Sequence, residues 1–260
     1  MKSKWGCAII VLLFGLAVTM PDLPDDYPFL PNSVRFPLVD LGEIAARLGS
    51  PVVYDRRGEV LFIDHFANGL GPYSTAAAGT GAEVITIADG VDIGPFAANL
   101  VGGSDGARTA QLYRWQAPLA AARYGLEISF WMPDVIENVE FFIVSYDGSN
   151  ALHARLRYTV VGSKWEYFNS SGGYTTVLIP ELFSSSEPMY HWIKMVIDTS
   201  LGEYVRFLVD DAVYGLINAD LRSAASPLNP GFDMRVVVTS VAGSNNRIQI
   251  GRFIVTANEP

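Results

Sequence analysis

The sequence predicts an all-β protein in which two antiparallel sheets pack face to face, preceded by an extended arm and one short helix. Three observations carry this expectation. From Gly58 onward no long segment has helical periodicity, and short apolar or alternating runs recur, broken by Gly and by Asp, Asn and Ser. The longer runs also alternate. In "LEISFWM", Leu126, Ile128, Phe130 and Met132 fall on one side, and Glu127, Ser129 and Trp131 on the other. In "ALHARLRYTV", Leu152, Ala154, Leu156, Tyr158 and Val160 oppose His153, Arg155, Arg157 and Thr159. Successive side chains of a strand point to opposite faces, so each run has a core side and a wet side. Finally, the chain has 260 residues, 50% of them hydrophobic and only 17% charged, enough to bury a sizeable core.

Residues 1–20 place Lys2 and Lys4 before an apolar stretch running from Trp5 to Met20. A basic start followed by an apolar run is the secretory signal pattern. A retained anchor and a buried assembly segment are the alternatives, and a membrane partner is expected only if residues 5–20 are retained. Residues 21–57 follow as an arm. Pro21, Pro24, Pro28, Pro31 and Pro37 exclude helix and central strand there, because proline lacks the N–H donor and fixes φ. Tyr27, Phe29, Leu30 and Phe36 make this arm too apolar for a free linker and suit it to lie on a surface, its own or a neighbour's. Within it, "DLGEIAARLG" (40–49) reads as a short amphipathic helix. Asp40 caps it, Glu43 completes a capping box, Leu41, Ile44, Ala45 and Leu48 form its stripe, and Gly49 and Pro51 stop it.

Strands are expected over 59–66, 83–88, 97–102, 109–115, 124–132, 139–147, 151–161, 164–169, 174–179, 190–198, 203–210, 212–217, 232–241 and 246–256. "YDGSN" (146–150) and "VDDAVY" (209–214) read as hairpin turns, since Asp, Asn and Gly tolerate turn geometry. In "VLFIDHFANGLGPY" (60–73), alternation sends Leu61, Ile63 and His65 to one side and Val60, Phe62, Asp64 and Phe66 to the other. Asp64 and His65 therefore cannot act as an adjacent acid–base pair.

These residues resemble the concanavalin A-like lectin/glucanase superfamily, especially its laminin-G-like members. "FIDHFANGLGPY" is similar to its first strand, and "LEISFWM" with "EFFIVSYDGSNALHARLRY" to its paired central strands. "YHWIKMVIDTSLGEYVRFLVDDAVYGL" is similar to its late strand and hairpin, and "NRIQIGRFIVTA" to its closing strand. The resemblance covers 58–257 and implies a two-sheet jelly roll. Its members include lectins, hydrolases, lyases, adhesion modules and virus structural parts, so it does not fix a function.

The chemistry narrows the classes. Net charge is −9, and no basic run exceeds Arg56-Arg57, which argues against a nucleic-acid partner. The single cysteine, Cys7, rules out an intrachain disulfide, and with three histidines a multi-histidine metal site would consume most of them. Jelly-roll glucanases carry their carboxylates on one strand in an E-x-D-x-(x)-E pattern, which alternation brings to ~5–5.5 Å. Asp134, Glu137 and Glu140 are spaced by three and fail that test. Lyases of this fold need Arg, His or Gln, and Tyr on one sheet; His153, Arg155 and Arg157 share a face, with Tyr167 or Tyr174 in reach. Sugar rings stack on aromatics, making Trp131, Tyr146, Trp165 and Tyr167 the glycan candidates. No cofactor is expected except calcium, for which Asp64, Asp147 and Asp210 are the candidate oxygens, although turn formation is the better account of them.

The function expected from the sequence is a non-enzymatic structural protein of an extracellular or virion-type assembly, a homo-oligomer exchanging its arm between subunits. A carbohydrate-binding, lectin-like module is the alternative, and a polysaccharide hydrolase or lyase the third reading.

Overall fold

The structure, a computed structural model, describes residues 57–88, 95–118, 122–160, 162–178, 189–210, 212–216 and 218–260. The apolar segment 1–20, the arm with Tyr27, Phe29, Leu30 and Phe36, and the helix expected over 40–49 lie outside these residues.

All regular structure in the described residues is β. In chain order the strands are β1 (Glu59–Asp64), β2 (Ser74–Ala78), β3 (Glu83–Ile87), β4 (Ala97–Val101), β5 (Thr109–Gln116), β6 (Arg123–Trp131), β7 (Asn138–Tyr146) and β8 (Asn150–Thr159). They continue with β9 (Lys164–Phe168), β10 (Tyr174–Leu178), β11 (His191–Asp198), β12 (Glu203–Val209), β13 (Ala212–Gly215), β14 (Arg222–Ala225), β15 (Gly231–Thr239) and β16 (Arg247–Ala257). Two antiparallel sheets result. Sheet A runs β13-β12-β11-β6-β16-β4-β3, with β1 also on β16; sheet B runs β10-β9-β8-β7-β15-β5-β2, with β14 also on β8.

The alternation read from the sequence sets the packing. Leu126, Ile128 and Phe130 of β6, Phe253 and Val255 of β16, Phe141 and Ile143 of β7, and Met234, Val236 and Val238 of β15 all enter one core. Burial of each such side chain is worth about 1.5–3 kcal/mol. Trp165 and Phe207 meet at its far side, ring centroids 6.2 Å apart.

The first strand departs from expectation. β1 carries a bulge between Val60 and Phe62 against β16 and ends at Asp64. Asp64 accepts the Phe66 N–H at 2.8 Å, closing a turn in which Phe66 takes φ 60° and is fully buried. Strict alternation through residue 66 is therefore corrected by one bulge and one Asx turn, while His65 is exposed. β2 and β14 were not foreseen. "STAAA" and "RSAA" lack apolar alternation because they are exposed edge strands.

One edge of β8 is divided between two partners: β14 pairs with residues Asn150 to His153, and β9 with Leu156 to Thr159. Tyr204, from the other sheet, closes the gap. Its hydroxyl accepts the Arg155 N–H at 2.8 Å and donates to the Phe168 carbonyl at 2.9 Å. Burial raises its pKa, so the hydroxyl stays a donor at neutral pH and supports the backbone beneath Arg155.

Candidate functional site on the outer face of sheet B

The two outer faces differ. On sheet A the side chains that point away from the core are buried too, including Asn99, Glu127, Ser129, Lys194, Ile254 and Thr256. Lys194 Nζ lies 2.9 Å from Glu127 and 2.8 Å from Glu259, and Arg206 lies 2.7 Å from Glu259. This ion cluster is enclosed and its charges face opposite ones, which suits a structural role. The outer face of sheet B instead leaves Trp115 and Arg222 exposed and His153, Arg155 and Arg157 half-buried, among buried Phe142, Val144, Glu166 and Asp233.

Strand register orders that face into rows. Opposite one another across the strands stand Arg222 of β14, His153 of β8, Val144 of β7, Asp233 of β15 and Trp115 of β5. One step along lies Arg155, Phe142, Arg235 and Tyr113. A further step brings Glu166, Arg157 and Glu140. Rows are about 6.6 Å apart, twice the rise per residue, and neighbouring strands about 4.8 Å.

Two guanidinium groups flank the Phe142 ring, Arg155 at 4.9 Å and Arg235 at 5.6 Å from its centroid. Arg155 also lies 4.3 Å from the Phe168 centroid, and Arg222 lies 5.5 Å from it. Arg157 sits 3.5 Å from the Tyr174 ring and 2.6 Å from Glu166, which Lys164 also approaches at 2.6 Å. Tyr174 donates to Glu140 at 2.5 Å. Burial, then that carboxylate, pushes its pKa up to about 12, so it remains protonated. Asp233 is taken by Arg235. Burial lowers the His153 pKa, with Arg155, Arg222 and Arg235 adding repulsion. Its imidazole is therefore held toward the neutral form, and its Nδ1 is buried with no hydrogen-bond partner. Burial also lowers the Arg235 pKa.

At one end of the face Trp115, 48% exposed, stacks on Tyr146 with centroids 5.2 Å apart and planes at 30°. Gly231 makes the stack possible. A Cβ there would stand 2.6 Å from Trp115 Cζ2, so the indole lies across bare backbone. This is an amphipathic platform beside a polar row, the arrangement with which a sugar's apolar face and its hydroxyls are bound together.

The residues singled out from the sequence do not converge. Tyr146 belongs to the platform. Trp165 is fully exposed to the core and 0% to solvent, against Phe141, Tyr158 and Phe207, so its ring offers no face to a glycan. Tyr167 packs on the core and meets Tyr204 edge-on. Both are corrected to structural residues, because they alternate with outward Glu166 and Phe168. Trp131 lies on sheet A beside Tyr190, away from Tyr146. Asp64, Asp147 and Asp210 are far apart in the fold and occupied locally. Asp147 accepts the Ser149 and Asn150 N–H groups, and Asp210 binds the His191 ring and the Trp192 N–H. Among the described residues no group of three or more His, Cys, Asp or Glu could hold a metal ion. Asp134 and Glu137 go to Arg247 and Arg108 respectively.

Sequence reasoning missed Trp115, Tyr113, Asp233, Arg235 and Arg222. The first four were legible in principle: "AQLYRWQ" and "GFDMRVVV" both alternate. Arg222 was not, since only pairing with β8 brings it beside His153.

No protein-family model and no curated protein sequence matches the chain. Solved structures do. An endo-1,3-beta-glucanase from Streptomyces sioyaensis is similar at 13% identity and TM-score 0.50, over 81% of this chain and 100% of that one. Peanut lectin is similar at 13% identity and TM-score 0.49, over 77% of this chain and 98% of that one. The glucanase overturns the expectation of a chain with no enzymatic role. An enzyme is built over its whole length on this architecture, so a missing E-x-D-x-E strand excludes one carboxylate arrangement and not catalysis. The chain has the concanavalin A-like lectin/glucanase fold, an all-β jelly roll of two antiparallel sheets.

Proposed function

We propose that the chain is an extracellular carbohydrate-binding protein and that the outer face of sheet B is its binding surface. The observation that carries the reading is the solvent-facing Trp115–Tyr146 stack beside a row that holds Asp233, His153 and Arg222. Large rings left in water at a sheet surface, with hydrogen-bonding groups one strand away, suit a pyranose better than a flat protein partner. The fold supports it, being shared with a glucanase and a lectin. The assembly reading rests on the arm, outside the described residues, and gains nothing from the comparisons. Tyr146 is retained as a site residue, and Trp115 and Tyr113 join it. A glycan array tests the proposal: retention of the wild-type chain, lost with Trp115→Ala, supports it, and a blank array overturns it. Incubation of any retained glycan with the protein, followed by assay of new chain ends, reads whether binding is accompanied by cleavage.

A further inference from the structure

The chain is acidic, with 27 Asp and Glu against 18 Lys and Arg. Yet the outer face of sheet B gathers Arg155, Arg157, Lys164, Arg222 and Arg235. The carboxylates there are already engaged: Glu166 with Arg157 and Lys164, Asp233 with Arg235, and Glu140 with Tyr174. Among the described residues no carboxylate pairs with Arg155 or Arg222. They are held instead on the rings of Phe142 and Phe168. We propose that this face selects an anionic glycan, whose carboxylate or sulfate groups are received between Arg155 and Arg222 beside His153 while a sugar ring stacks on Trp115 and Tyr146.

The inference rests on the carbohydrate-binding reading and adds the ligand's charge. Burial first, and then the charges of Arg155, Arg222 and the Asp233-paired Arg235, depress proton binding at His153, and the two guanidinium groups without a carboxylate repel one another. An anion between them would relieve that repulsion and bring charge-assisted, bidentate hydrogen bonds. The aromatic rings hold the guanidinium groups in place beforehand, so little side-chain entropy is lost on binding. A neutral sugar would leave the repulsion in place.

The test is affinity electrophoresis of the wild-type chain, Arg222→Gln and Arg155→Gln in gels containing alginate (carboxylated), heparin (sulfated), laminarin (neutral) or single-stranded DNA, at two salt concentrations. Arg222 lies on an exposed edge strand, so its substitution leaves the fold intact; thermal melting checks this for both variants. The expected result is retardation by alginate, heparin or both, weakened by added salt and reduced about tenfold or more by Arg222→Gln. Which polymer retards distinguishes carboxylate from sulfate as the group received. Retardation by laminarin alone would overturn the anionic inference and leave the carbohydrate reading standing. No retardation by any glycan here, with a blank glycan array, would remove both. Equal retardation by DNA, or an Arg222→Gln variant that binds as wild type, would also overturn the inference.

Discussion

Replacing Trp115 by alanine separates a binding platform from a piece of scaffold. The indole is 48% exposed, which leaves on the order of 100 Å² of a tryptophan's surface in water. A pyranose lying on it covers about 60 Å² of apolar area, worth about 1.5 kcal/mol at ~25 cal/mol per Å². Binding should therefore weaken about tenfold. The folded state loses the stack on Tyr146, about 0.5–1 kcal/mol, and little else, since Gly231 beneath the ring is bare backbone. Titration calorimetry with a glycan retained by the array measures the first quantity, and urea unfolding the second. A Trp115→Ala chain that binds unchanged but unfolds several kcal/mol more easily would refute the reasoning, showing the ring to be structural.

Gly231→Ala approaches the same platform from below: its Cβ meets the indole at 2.6 Å, so the ring must tilt, and glycan affinity should fall several-fold with the melting temperature nearly kept. Trp165→Ala should behave oppositely, losing about 3–5 kcal/mol of stability by urea unfolding because its ring is fully enclosed, with binding intact wherever the chain stays folded. His153 supplies a pH test. Its folded pKa lies below the ordinary 6.5, through burial first and then Arg155, Arg222 and Arg235, with Asp233 on the same face paired to Arg235. The unfolded chain therefore binds the proton more readily. His153's contribution is intact above about pH 6.5 and is lost as the pH falls through the lowered folded value. Urea titrations across that range should show a downward slope that His153→Gln reduces; an identical slope in the variant would refute the assignment.

How much of the site could be read beforehand depended on the strand. Alternation alone put His153, Arg155 and Arg157 on one face of β8, and they are there. The same rule sends Trp165 and Tyr167 inward once their register against β8 is known, but pairing is invisible in a five-residue strand read by itself. Aromatic content misled for the same reason, because a jelly-roll core and a sugar platform are built from the same residue types. Asp147 and Asp210 offered oxygens that suit calcium, yet Asp147 accepts backbone N–H groups of its own turn and Asp210 accepts the Trp192 N–H of β11.

By itself the sequence determined that the chain is β, where most strands lie and which side of the longer ones enters the core, because period-2 alternation is a local property of backbone geometry. Tertiary structure alone decided which outer faces stay open. It brought Arg222 from a short edge strand to His153 and laid Trp115 across Gly231. It also brought Arg155 and Arg235, from β8 and β15 at opposite edges of β7, to the same phenylalanine. Those neighbours are far apart in the chain, and only the order of strands in the sheet, set by packing of the whole core, makes them a surface.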